Sequence, residues 1–106
     1  MSKVITLTTD FGRTDSYVAQ MKGVIISLCP QATIIDLTHE IPACDILAAA
    51  RFLQEAVPLY PAGTTHVAVV DPGVGGQRRR LITEVFLESE LEKSAKKPQR
   101  LVGPDN

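Results

Sequence analysis

The sequence predicts an α/β fold, a parallel sheet with covering helices. Two observations carry that expectation. Strand-like and helix-like patterns alternate along the first 70 residues, the arrangement that builds consecutive crossover units. The strand-like runs are also near-continuously apolar, as strands covered on both faces are.

"KVITLTT" (3–9) reads as the first strand and ends in the polar turn "DFGRTD". Asp15 or Ser16 is placed to cap the helix that follows, because a short side-chain acceptor satisfies free N–H groups of a first turn. In "YVAQMKGVIISLC" the apolar residues Val18, Met21, Val24, Ile25 and Leu28 recur at helical spacing, and Pro30 stops the element. "ATIIDL" (32–37) is a second strand and "THEIPAC" a loop, after which Asp45 is positioned to cap "ILAAARFLQEAV" before Pro58. "PAG" turns the chain at 61–63, "TTHVAVVD" makes a third strand, and "LITEVFLE" (81–88) is a fourth that alternates less cleanly. The expected architecture is Rossmann-like. Right-handed crossovers then put the strands' carboxyl ends on one edge, where open α/β sheets bind ligands.

Length and composition set outer limits. The 106 residues suit a single domain, and 44% hydrophobic with 22% charged residues is the balance of a soluble globular protein. No apolar run approaches the roughly 20 residues of a membrane span. "MSKVITLTTD" lacks a signal-peptide core, so the expected location is cytoplasmic. Cys29 and Cys44 match no metal spacing and are expected to stay reduced. A net charge of −1 gives no electrostatic case for nucleic acid. "RRR" at 78–80 and "KKPQR" at 96–100 read as solvated faces.

The expected carboxyl edge gathers Thr8, Thr9 and Asp10 from the first strand, Asp36, Thr38 and His39 from the second, and Asp71 from the third. Three strands ending in acids suit a ligand with hydroxyls or positive charge. They also suit helix and turn capping, and Asp10 and Asp71 escape that second reading best, since each precedes a glycine-containing loop. Familiar signatures are missing. "GVGGQR" lacks the third glycine of a dinucleotide fingerprint, and no lysine-serine pair follows it as in a P-loop. No serine occupies a strand end as in a nucleophile elbow. Cys44 with His39 is a weak thiol–base pairing, and His66 opens its strand at the far edge as a structural residue. Acids with His39 have the chemistry to hold a divalent cation, without diagnostic spacing.

Four blocks, "TLTTDFGRTDSYVAQMKGVI", "IIDLTHEIPACDILAAARFL", "YPAGTTHVAVVDPGVGGQRR" and "LVGPDN", resemble the S-adenosyl-L-methionine (SAM) hydroxide adenosyltransferases. These are the SAM hydrolases related to SAM-dependent chlorinases and fluorinases. The likeness covers almost the whole chain in the same order; residues 87–100 look like a charged insertion. The resemblance implies attack of water or hydroxide on the 5′ carbon of SAM, release of methionine and adenosine, and no metal or other cofactor, SAM being the substrate. It implies that Asp10 binds the ribose hydroxyls and that Asp71 and Arg78 hold and activate the attacking water. Thr9, Phe11, His39 and Cys44 join Asp10 as implied substrate-binding residues. The family's third partner at the water, a histidine, falls beyond Asn106. Family members continue into a smaller β-rich domain and assemble as homotrimers, so residues 1–106 are expected to be an incomplete amino-terminal domain. Two alternatives stay open: an inactive SAM- or adenosine-binding module, and a metal-dependent hydrolase built on Asp10, Asp36, His39 and Asp71.

Overall fold

β-Branched residues fill the first strand, and their stiff side chains suit a pleated, covered surface. In the computed structural model, which describes residues 3–70, 80–85 and 99–104, that strand is β1 (Lys3–Thr9). It leads into α1 (Tyr17–Leu28), then β2 (Ala32–Thr38), α2 (Ile46–Ala56), a 3₁₀ turn (Val57–Leu59) and β3 (Thr65–Val69). β4 (Arg80–Val85) and β5 (Gln99–Pro104) follow. The five strands form one sheet in the order β2-β1-β3-β5-β4. β1 pairs in parallel with both β2 and β3, and β3 with β5. The predicted α/β fold is the observed one.

The helix boundaries have local causes. Asp45 caps α2, its Oδ1 accepting from the Ala48 N–H at 2.9 Å, as the sequence predicts. Val57 passes into the 3₁₀ turn because Pro58 has no N–H with which to continue an α-helix. Ser16 takes the cap position of α1, but its hydroxyl accepts from the Gln20 side chain at 2.8 Å instead of from a backbone N–H.

The far edge of the sheet departs from the all-parallel expectation. β4 runs antiparallel to β5, and β5 is a strand that the sequence pattern does not predict, in a run that ends in Gly103 and Pro104. Pro104 closes the strand, where a missing N–H does little harm to the ladder. The described part of the fourth strand is 80–85, and residues 86–88 of its predicted span lie outside the described residues.

Register decides what faces what. Leu7 pairs with Asp36 of β2 and Val67 of β3, while Thr6 pairs with Ile35 and His66. The β1–β2 register then jumps, so that Thr8 faces Thr38 and Leu37 is the extra residue of a bulge. Leu7 is fully buried, and Ile41, Ala49 and Val70 form a small apolar cluster against which Ala48 and Phe52 pack. Much of the remaining interior is polar: Thr6, Thr8, Thr9, Thr64, His39 and His66 are all buried. Thr6 Oγ1 lies 2.6 Å from His66 Nδ1, and the Tyr60 ring meets that imidazole edge-on at 5.6 Å, the structural role expected for His66. Among the described residues no helix is long and apolar enough to cross a membrane.

Candidate functional site

The parallel pairings bring the ends of β1 and β2 together at the carboxyl edge, with the β2–α2 loop wrapped beside the loop after β1. Gly12 turns that first loop at φ 73°, a conformation in which a Cβ is strained. Its N–H donates to the His39 carbonyl at 2.8 Å, and the Ile41 N–H donates to the Thr9 carbonyl at 3.4 Å. The turn Pro42–Asp45, closed by the Asp45 N–H on the Pro42 carbonyl at 2.9 Å, holds Cys44 at φ 60°. From there the Cys44 N–H donates to Asp10 Oδ2 at 2.7 Å. The Cys44 thiol is free and the residue exposed.

Beneath Asp10 runs a chain of side chains. The Phe11 N–H donates to Thr9 Oγ1 at 3.2 Å, Thr9 Oγ1 lies 2.7 Å from His39 Nδ1, and His39 Nε2 lies 2.7 Å from Asp36 Oδ1. Lys22 of α1 closes the chain with a 2.6 Å bond to Asp36 Oδ2. A carboxylate only accepts, so His39 donates from Nε2 and its Nδ1 accepts the Thr9 hydroxyl proton; the tautomer is assigned by the network. Burial pushes the Asp36 carboxyl up, but the hydrogen bonds from Lys22 and His39 and the Lys22 charge outweigh it and leave it below the ordinary carboxylate value. The outer end of the chain faces a cleft of about 340 Å³ between α1 and the first loop, lined by Gly12, Arg13, Asp15, Val18, Ala19, Lys22, Asp36 and His39.

The sequence-predicted residues therefore divide into groups. Thr9, Asp10, Phe11, His39 and Cys44 come together at the carboxyl edge, linked by the bonds above. Asp71 and Arg78 lie outside the described residues. His39 is 5% exposed with both ring nitrogens engaged, and Asp36 bonds to it while Asp10 turns to Cys44. Among the described residues no group of three or more His, Cys, Asp or Glu side chains is arranged to hold a metal. Lys22 was not singled out from the sequence. Its partner is 14 residues away, and nothing local distinguishes it from any lysine on a solvated helix.

Residues 5–106 match the family profile described as the SAM hydroxide adenosyltransferase N-terminal domain. The chain belongs to that family. The chain is 41% identical over 107 residues to the (R)-S-adenosyl-L-methionine hydrolase of Methanocaldococcus jannaschii, covering 97% of the chain and 36% of that relative. It is 33% identical over 82 residues to the fluorinase of Nocardia brasiliensis, covering 77% of the chain and 27% of the relative. A crystal structure of an uncharacterized conserved protein from Thermotoga maritima superposes with a TM-score of 0.79 at 35% identity, over 96% of the domain and 35% of that protein. The chain thus spans between 27% and 36% of the length of these two curated relatives.

Proposed function

We propose that this chain is the amino-terminal part of an enzyme that hydrolyses SAM to adenosine and L-methionine. Water or hydroxide attacks the ribose 5′ carbon, the C5′–S bond breaks with its electron pair passing to sulfur, and the proton from water goes to Asp71 and then to solvent. Arg78 adds fixed positive charge that favours hydroxide. Little covalent chemistry falls to the protein, because a sulfonium is already a good leaving group; positioning and electrostatics carry the rate.

The observation that supports this reading best is the state of Asp10. Cys44 takes one lone pair of Oδ2, and Oδ1 has no partner among the described residues. A vicinal diol presents two donors that one carboxylate accepts together. The bonded loop thus offers a fixed acceptor at the edge where open α/β sheets bind ligands. Thr9 and Phe11 flank Asp10 in the chain, and the turn that carries Cys44 lies against it. The likeness to proteins named SAM hydrolase and fluorinase adds weight for SAM as the substrate.

The same reading makes residues 1–106 part of the first, Rossmann-like domain of a two-domain, cytoplasmic homotrimer. Incubating the full-length protein with SAM and quantifying adenosine and methionine tests the proposal. Equimolar release of both is expected; intact SAM, or release of a different nucleoside, overturns it.

A further inference from the structure

The cleft beside α1, the Thr6–His66 pair and the exposed Cys44 thiol each lack a feature that points to a ligand. The chain beneath Asp10 goes further. Four hydrogen bonds tie the loop that carries Asp10 to the segment 39–44: Gly12 to the His39 carbonyl, Ile41 to the Thr9 carbonyl, Cys44 to Asp10, and Thr9 to the His39 ring. They lie on both sides of Asp10 in sequence. The side-chain bond among them is buried, since Thr9 is fully covered and His39 nearly so.

We propose that Thr9 and His39 are positioning residues for Asp10, acting through the loop and not by touching substrate; this rests on the SAM reading above. Each ring nitrogen of His39 is committed, so the imidazole has no donor or acceptor left for a ligand. Its orientation is fixed from the far side by Asp36, which Lys22 holds in turn. Thr9 passes that orientation on, because its hydroxyl donates to His39 and its oxygen accepts the Phe11 N–H. The peptide after Asp10 is thereby tied to a rigid sheet and helix. A substrate-gripping carboxylate needs that support, since sites held loosely by their surroundings lose function without losing residues.

The test compares Thr9→Val, which keeps the branched shape and deletes the hydroxyl, with Thr9→Ser, which keeps the hydroxyl. His39→Gln is the second variant; it retains an N–H toward Asp36 and removes the acceptor for Thr9. In the full-length protein, hydrogen exchange is read at the Gly12 and Cys44 amides, whose partners none of these substitutions removes. Thr9→Val and His39→Gln should speed both amides about tenfold, roughly what one buried hydrogen bond is worth, with Thr9→Ser near wild type. KM for SAM should rise by a similar factor with kcat little changed, because ribose contacts are made in ground and transition states alike. Wild-type exchange at Gly12 and Cys44 in Thr9→Val and His39→Gln overturns the proposal. So does a fall in kcat at unchanged KM. If exchange responds as expected but the wild-type protein neither binds nor hydrolyses SAM, the positioning of Asp10 stands and the SAM reading falls.

Discussion

The Cys44 N–H reaches Asp10 Oδ2 across 2.7 Å from a residue whose own backbone sits at φ 60°. The strained peptide and the bond to the carboxylate are features of the same turn. An L-residue in this region costs about 1–2 kcal/mol, which glycine avoids at an entropic cost of about 0.5–1 kcal/mol.

Cys44→Gly should therefore be neutral to stabilising by up to about 1 kcal/mol, and it preserves the N–H on which Asp10 depends. Cys44→Val should destabilise by about 1–2 kcal/mol, since a β-branched side chain fits this conformation worst. Urea denaturation of the two variants checks both. A glycine variant that unfolds at lower urea than wild type would sink the strain argument.

Thr8 carries the buried side-chain oxygen that, among the described residues, has no hydrogen-bond partner. Replacing it with valine keeps the shape and removes a desolvated hydroxyl. Thr8→Val should stabilise the protein by about 1 kcal/mol, seen as a higher urea midpoint at unchanged slope. A loss of stability would mean the hydroxyl has a partner in solution.

Asp36 predicts a pH dependence. Its folded pKa lies below its unfolded value of about 3.9, so the carboxylate's contribution is fully present above the unfolded value. It is lost as the pH falls through the folded one. The stability gap between wild type and Asp36→Asn should hold constant from neutral pH down to about pH 5 and close below it. A gap that persists unchanged to about pH 2 would rule out the ion pair as its source.

Asp71→Asn tests the proposed chemistry in the full-length protein. A chloride about 4 Å from a carboxylate is opposed by about 4 kcal/mol at an effective dielectric near 20, and Arg78 offsets part of this. Wild type in high chloride should therefore form adenosine and little 5′-chloro-5′-deoxyadenosine. The asparagine variant should lose at least about tenfold in adenosine formation with little change in SAM affinity. A mainly chlorinated product from wild type, or wild-type hydrolysis by the variant, would remove Asp71 from the mechanism.

Capping of α2 by Asp45 should be worth about 1 kcal/mol, so Asp45→Ala should lower the urea midpoint accordingly. No change would show that the 2.9 Å bond to the Ala48 N–H is not formed in solution.

The alternating pattern made β1, α1, β2, α2 and β3 legible, because each combines a clear period with a stop such as Pro30 or Pro58. β5 was not, since Gly103 and Pro104 are loop residues by propensity and become strand only through pairing with β3 and β4. At the site, the place of Asp10 at the end of β1 was readable from the strand pattern that stops before a glycine turn. The coupling of Thr9 to His39 was not: it spans 30 residues and exists only once β1 and β2 lie side by side. Lys22 shows the same limit, since a helix period says which face a residue occupies and nothing about its partner.

The polar interior of the sheet has one more effect. The register of β1 is set by more than its buried faces, because it carries hydroxyls that meet particular imidazoles on either side of it. Thr6 meets His66 and Thr9 meets His39. Slipping β1 by one position against β3 would set Leu7 opposite His66 and strip that Nδ1 of its hydroxyl, while every residue of β1 changed faces. The buried threonines thus act as a key that only one alignment of the strands can turn.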